Sequence, residues 1–469
     1  MRVPGIEIEQ SDDEGVKPSK LNAIVFGLIL SIPVVFTVLY GGVDTWAIGL
    51  HMLFALLILG LWSLDSIKKG AMEISAEPMQ LPLLGLAIIG LMQIIPFASN
   101  PTLSSLSVDS ATALSVNPFA TRYAVVQLFI YVIFFAAALS HIDSYKRLRI
   151  ATAVFLTFTS MMAFIGILQF LTKPDAIYGL RPTPQSEPFA SYVNKHHFAG
   201  LMEMTFGVAL SLVIGGGAIK EKRLLVLLAL SLSGIAVVLT GSRGGLLSIL
   251  VVSGMVAAIH LLFRKQGNES DAEQGESGGV LLKRLAVIGG SLSLVAVIVG
   301  STLLLGGGDS LLRGAGFTGQ DDVSSGRLHF WAVTWEVFIH NPFFGVGLDA
   351  LGNAYTEFDT WSGQLRLEQA HNEYLQLMAE AGIGGLLLAI GFIWTLFRKA
   401  ARNIVGSEDL FARSVALGAL AGCTGVLVHS FFDFPLRIPS NAYFFLICCV
   451  LAVVAVKGPR RHRSRARRG

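Results

Sequence analysis

The sequence predicts an all-α, polytopic integral membrane protein of about twelve transmembrane helices, with one large external loop that itself contains helices. Three observations predict it. Of the 469 residues, 53% are hydrophobic and only 14% charged, and the mean hydropathy is +0.64, far from the balance of a soluble domain. Apolar runs of roughly 17 to 23 residues recur from one end to the other, each about long enough to cross a hydrocarbon core of ~30 Å. Lysine and arginine gather in alternate loops, the bias that orients membrane helices.

By length and hydropathy the spans fall at roughly 21–40, 47–63, 79–96, 124–142, 150–172, 197–217, 223–240, 245–263, 285–306, 383–397, 411–431 and 441–456. The basic loops hold Lys68 and Lys69; Lys146, Arg147 and Arg149; Lys220, Lys222 and Arg223; Arg264, Lys265, Lys283 and Arg284; and Arg398, Lys399 and Arg402. Residues 457–469, with Arg460, Arg461, Arg463, Arg465, Arg467 and Arg468, fall on the same side. Both termini are therefore expected in the cytoplasm and residues 307–382 outside. Directly after a span, a basic tail reads as a topology anchor that attracts anionic lipid rather than as a nucleic-acid arm. Segment 1–20 is acidic (Glu7, Glu9, Asp12, Asp13, Glu14) and unlike a cleavable signal peptide. The polar, acidic stretch 266–279 lacks periodicity and is expected to be an irregular linker. Cys423, Cys448 and Cys449 all lie in apolar spans, which argues against a disulfide framework or a Cys-based metal site.

The long external segment, 307–382, carries Arg313, Arg327, Arg366 and His371. Leu328, Trp331, Trp335, Phe338 and Ile339 form one apolar stripe at helical spacing, on a helix that starts after Ser325-Gly326 and stops at Asn341-Pro342. Two tryptophans on the stripe suit a helix lying at the membrane surface. Arg327 occupies its first turn, where a cation opposes the helix dipole; an anionic partner or lipid headgroups would both account for it. Phe343 to Gly347 reads as a turn. A second helical pattern begins near Leu367, with His371, Tyr374, Leu375 and Met378 on one face. A lone histidine there is ordinarily a packing residue, but its ordinary pKa of ~6.5 also suits a general base. Glu368, one turn earlier, and Tyr374 are candidates to orient its ring. The spacing is not a zinc signature, because position 375 is Leu.

Other outward turns carry isolated arginines: Arg181 in Tyr178 to Pro184, Arg243 in Gly241-Ser242-Arg243-Gly244-Gly245, and Arg437 in Phe434 to Pro439. Each is either a snorkelling interfacial side chain or part of a clamp for phosphate, which guanidinium pairs bidentately. Around one histidine, Arg181, Arg243, Arg327 and Arg437 suit an anionic lipid-linked substrate. His51, Glu203, His260 and His429 are polar intruders within apolar spans; for Glu203, function and pairing with an outer arginine are both open.

These residues resemble a family. Gly241 to Gly245 at the start of a span, Gly326-Arg327 through Trp331, Asn341-Pro342 through Gly347, and His371-Asn372-Glu373-Tyr374-Leu375 are similar, in order and spacing, to the bacterial O-antigen ligase superfamily. That superfamily includes O-antigen and exopolysaccharide polymerases. The likeness covers roughly 190–382 and the overall span layout. The Lys195-His196-His197 run departs from the family pattern around Asn194, so no role is carried over there. The resemblance implies that 21–456 is a metal-independent, cofactor-free glycosyltransferase domain of the bacterial inner membrane, with 307–382 in the periplasm. Its implied donor is an undecaprenyl-diphosphate-linked glycan and its acceptor a hydroxyl on lipid, glycan or protein; membrane lipids are further partners and nucleic acid is not. It also implies that His371 acts on the acceptor hydroxyl while Arg243, with Arg181, Arg327 and Arg437, holds the diphosphate. Ligase and polymerase share this donor chemistry. A polyprenyl-glycan flippase, the alternative from another class, would place charge at mid-membrane and show paired halves.

Overall fold

A backbone inside hydrocarbon must satisfy its own hydrogen bonds, and helices do so within one segment. The computed structural model describes residues 19–96, 98–99, 111–184, 187–272, 300, 302–305, 307–314, 326–361, 367–456 and 458. Its helices are α1 (Lys20–Val38), α2 (Ala47–Lys69), α3 (Gln80–Ile94), α4 (Pro118–His141), α5 (Tyr145–Thr172), α6 (Lys195–Ile214), α7 (Arg223–Thr240), α8 (Arg243–Ala272), α9 (Gly308–Gly314), α10 (Arg327–His340), α11 (Leu351–Phe358), α12 (Glu373–Gly406), α13 (Leu410–His429) and α14 (Pro439–Val453). Among the described residues, nine helices are long and apolar enough to cross a membrane; α3 and α14 are shorter apolar helices. Eleven expected spans thus coincide with helices. The twelfth, 285–306, lies almost wholly outside the described residues, as do the acidic leader, Arg366 and nearly all of the basic tail.

The chain forms two compact units. The first takes Met1–His141, Gln320–Thr395 and Ser430–Ile447; the second takes Ile142–Gly319, Leu396–His429 and Cys448–Gly469. In the first, His51 proves to be a packed core histidine: its Nδ1 lies 2.9 Å from Tyr443 Oη and its ring stacks on Phe36 at 3.5 Å. The outer loop has its own small core of Val337, Val346, Leu351, Ala354, Ala370 and Ala379. Residues 342–347 run along the start of α12, with Val346 N–H donating to Ala379 O (2.9 Å), Gly347 N–H to Glu380 O (3.1 Å) and Ile383 N–H to Pro342 O (2.8 Å). A kink at Gly382 (φ 64, ψ −163) frees the groups for this pairing. Buried Gln93 of α3 locks the arrangement, donating to Phe344 O (2.6 Å) and Glu380 O (2.7 Å) and accepting from Leu348 N–H (3.0 Å).

In the second unit α6 is the almost wholly buried centre, packed by α7, α8 and α13. It comes close to α13 because small residues face each other: a Cβ on Gly207 would stand 2.7 Å from Gly422 N.

Two expectations are corrected, those for the polar stretch 266–279 and for His371, while the α10 stripe keeps the outward face expected of it. α8 continues to Ala272, taking in the first part of the supposed linker, since adding residues to an established helix costs far less than nucleating one. The stripe of α10 faces away from its unit, with Leu328, Trp335 and Ile339 exposed, while Val333, Thr334 and Val337 form the buried face; an outward apolar stripe is what a lipid-facing surface requires. His371 is not on a helix face. It precedes α12 with φ 51, because Asn372 takes the cap, its Oδ1 accepting from Leu375 N–H at 3.1 Å.

Candidate active site

In the first unit the left-handed backbone at His371 aims its ring at the turn between α13 and α14. Nδ1 lies 3.1 Å from Asp433 Oδ1; the histidine side chain is 29% exposed and the aspartate 3%. Asp433 Oδ1 also accepts from Phe434 N–H at 3.0 Å. An ionised carboxylate only accepts, so Nδ1 carries the proton and Nε2 keeps a lone pair. Phe434 and Phe330 flank the ring, with centroids at 4.9 and 6.2 Å. Glu368, expected to orient the ring, is exposed and set against Gly352; Tyr374 packs on Phe431 at 4.4 Å. The carboxylate on His371 comes instead from 62 residues further along.

The same turn is clamped to the start of α12. Glu373 accepts from Leu436 N–H (2.6 Å) and Ser430 Oγ–H (3.1 Å), and its own N–H donates to Ser430 O (2.9 Å). Arg437, expected to meet diphosphate, is engaged inside the protein: Nη2 on Glu380 at 2.5 Å and Nη1 on Asp349 at 3.2 Å. Burial works against that guanidinium's charge, and the two carboxylates more than reverse this and raise its pKa. Gln376 closes the network by donating to Glu380 Oε1 (2.8 Å) and Gln369 Oε1 (2.6 Å). Arg327 opens α10 half-buried. Close by on that helix, His329 stacks on Trp361 at 4.0 Å and bonds to Asp359 at 2.8 Å. That bond, then the Trp361 N–H, hold the Asp359 carboxyl below its ordinary value.

The second unit holds Arg181 and Arg243. Arg181 sits in a two-stranded turn, Ala176–Ile177 against Arg181–Pro182. The Gly241 to Gly245 turn divides its labour residue by residue. Gly241 (φ 62) ends α7 in the left-handed conformation that glycine adopts without strain. Ser242 caps α8, its Oγ accepting from Gly245 N–H at 3.1 Å. Arg243 is then the first residue of α8 and half-buried. Residues 227–390 match the family model described as O-antigen ligase. That match supports the resemblance to the O-antigen ligase superfamily. Among curated proteins no match is found.

The apolar helices and the match to the O-antigen ligase family indicate a multi-pass membrane protein. The matched region contains Arg243, Arg327, His371, Glu373 and Glu380, while Arg181, Asp433 and Arg437 lie outside it. Sequence reasoning missed Asp433, Glu373, Glu380 and Asp349. Their one signal was a carboxylate in the same short turn as Arg437, in Asp433-Phe434-Pro435-Leu436-Arg437.

Proposed function

We propose that the protein transfers a glycan from undecaprenyl diphosphate to an acceptor hydroxyl on the periplasmic face of the inner membrane, as a metal-independent O-antigen ligase-like enzyme. The observation that supports it most is the partly exposed His371 ring held by buried Asp433. The acceptor O–H is the nucleophile. Its oxygen bonds to the anomeric carbon, the bond from that carbon to the diphosphate oxygen breaks, and the electron pair leaves with undecaprenyl diphosphate. His371 Nε2 takes the hydroxyl proton as the bond forms, and Asp433 stabilises the resulting imidazolium. The charge growing on the leaving diphosphate is met by Arg243, with Arg181 and Arg327 as further contributors. Arg437 has a weaker claim, since two carboxylates already occupy it, and we assign it to holding the turn that carries Asp433. Polymerase chemistry would use the same donor steps with a lipid-linked repeat unit as acceptor.

The test is glycan transfer by the purified protein in detergent, with an undecaprenyl-diphosphate-linked glycan as donor. Transfer that survives EDTA and falls by about 10²–10⁴ in His371→Ala, the span of general-base contributions, supports the reading. Undiminished transfer by that variant removes the general base from it. Whether loss of the protein in cells leaves single repeat units or full-length polymer on the carrier separates polymerase from ligase.

A further inference from the structure

Behind Arg243 stand three buried side chains that glycosyl transfer does not itself call for. Ser242 is 2% exposed, His429 1% and Glu203 0%. They come from α8's cap, the end of α13 and the middle of α6, and they form a line: Ser242 Oγ lies 3.2 Å from His429 Nε2, and His429 Nδ1 lies 2.7 Å from Glu203 Oε1. The imidazole fits only because position 244 is glycine; a Cβ there would stand 2.5 Å from His429 Cδ2.

A serine–histidine–carboxylate line can activate a nucleophile, but Ser242 is closed to substrate and its Oγ already accepts from Gly245 N–H at 3.1 Å. Capping alone does not explain the arrangement either, since a serine caps a helix without help. Placing a carboxylate and an imidazole inside apolar spans is unfavourable, so the pair stands out as a support for the residue next to Ser242. That residue, Arg243, is a guanidinium at the positive end of a helix, where its charge opposes the dipole. That opposition favours a first turn whose backbone is held from behind.

We infer that Glu203 and His429 are positioning residues that act through Ser242 to hold Arg243 in place for the donor diphosphate. The inference rests on the proposed role of Arg243 as a diphosphate ligand. With Glu203 ionised, the line has one consistent pattern: Nδ1–H donates to Glu203, and Nε2 accepts from Ser242 Oγ–H. That leaves the serine oxygen's lone pairs for Gly245 N–H and fixes the rotamer of the cap.

The experiment measures binding of undecaprenyl diphosphate in mixed detergent micelles, together with thermal unfolding, on the full-length protein. Glu203→Ala is expected to weaken binding about tenfold, the change that 1.4 kcal/mol of lost interaction produces. Glu203→Gln, which keeps an acceptor for Nδ1–H, restores most of it. In an Arg243→Ala background Glu203→Ala then adds no further loss, because its effect runs through the missing guanidinium. Ser242→Ala, which cuts the line at its other end, weakens binding equally and makes Glu203→Gln silent; it carries the comparison if Glu203→Ala does not fold. Losses that add in the double variant, or that track only the unfolding temperature, overturn the inference while leaving Arg243 as a diphosphate ligand. Unchanged binding by Arg243→Ala alone overturns that role, and this inference falls with it.

Discussion

Replacing Asp433 by Asn tests the bond that defines the candidate site. The variant keeps the shape of the side chain and an oxygen for the Phe434 N–H, but it removes the charge facing His371 Nδ1 at 3.1 Å. Hydrogen bonds to charged groups contribute about 1.5–3 kcal/mol. Since each 1.36 kcal/mol is tenfold in rate, kcat should fall by about 10- to 150-fold if the whole bond serves the transition state. Asp433 is 3% exposed, so solvent does not replace the lost charge. The assay is kcat and acceptor KM for glycan transfer at saturating donor, with thermal unfolding measured in parallel. A loss in kcat without a matching loss of unfolding temperature is expected. Combining Asp433→Asn with His371→Ala should cost no more than His371→Ala alone, because the aspartate acts only through the ring. Full kcat in Asp433→Asn, or additive losses in the double variant, would refute the orienting role.

The geometry sets three further outcomes. Arg437→Ala leaves Glu380, 1% exposed, and Asp349 without their shared cation, and unfolding in detergent should show a loss of about 3–5 kcal/mol, the range for breaking a buried pair from one side; an unchanged unfolding temperature would contradict the network. Gly382→Ala forces a side chain into a backbone region essentially reserved for glycine, at a cost of order 1–3 kcal/mol, and its Cβ would stand 2.3 Å from Phe343 O, so folded yield should collapse, whereas Gly391→Ala, with open space around it, should not. The Asp359 carboxyl is held below its ordinary value of 3.8 by His329 and then the Trp361 N–H. A depressed carboxylate contributes stability that is present above its unfolded value and lost as pH falls through the folded one. Below about pH 3.8 the wild type should therefore lose stability that Asp359→Asn lacks at every pH, and parallel acid profiles for the two proteins would count against the pair.

How much of this was legible in the sequence differs residue by residue. The helices at 20–38, 47–69 and 195–214 follow from apolar length alone, since hydrocarbon leaves the backbone no other means of satisfying its hydrogen bonds. The stop of α10 at His340 follows from Asn341-Pro342, whose restraint is local. The Gly241 to Gly245 motif was readable as a turn opening a span, whereas the tasks of its residues, a left-handed stop, a cap and a close approach to His429, emerged only from the structure.

The partners of the polar groups were not readable. His371 was expected on a helix with Glu368 below it, yet Asn372 took the cap and left the histidine outside, facing an aspartate 62 positions away. Glu203 and His429, 226 positions apart, looked like separate intruders until α6 and α13 brought them to 2.7 Å. Hydropathy and spacing report on neighbours along one element and on its solvent. By itself the sequence determined where most of the helices lie and some of the residues with chemistry to offer. Which of those residues meet was decided only by the packing of helices distant in the chain, because a polar side chain in an apolar span finds its partner on another helix.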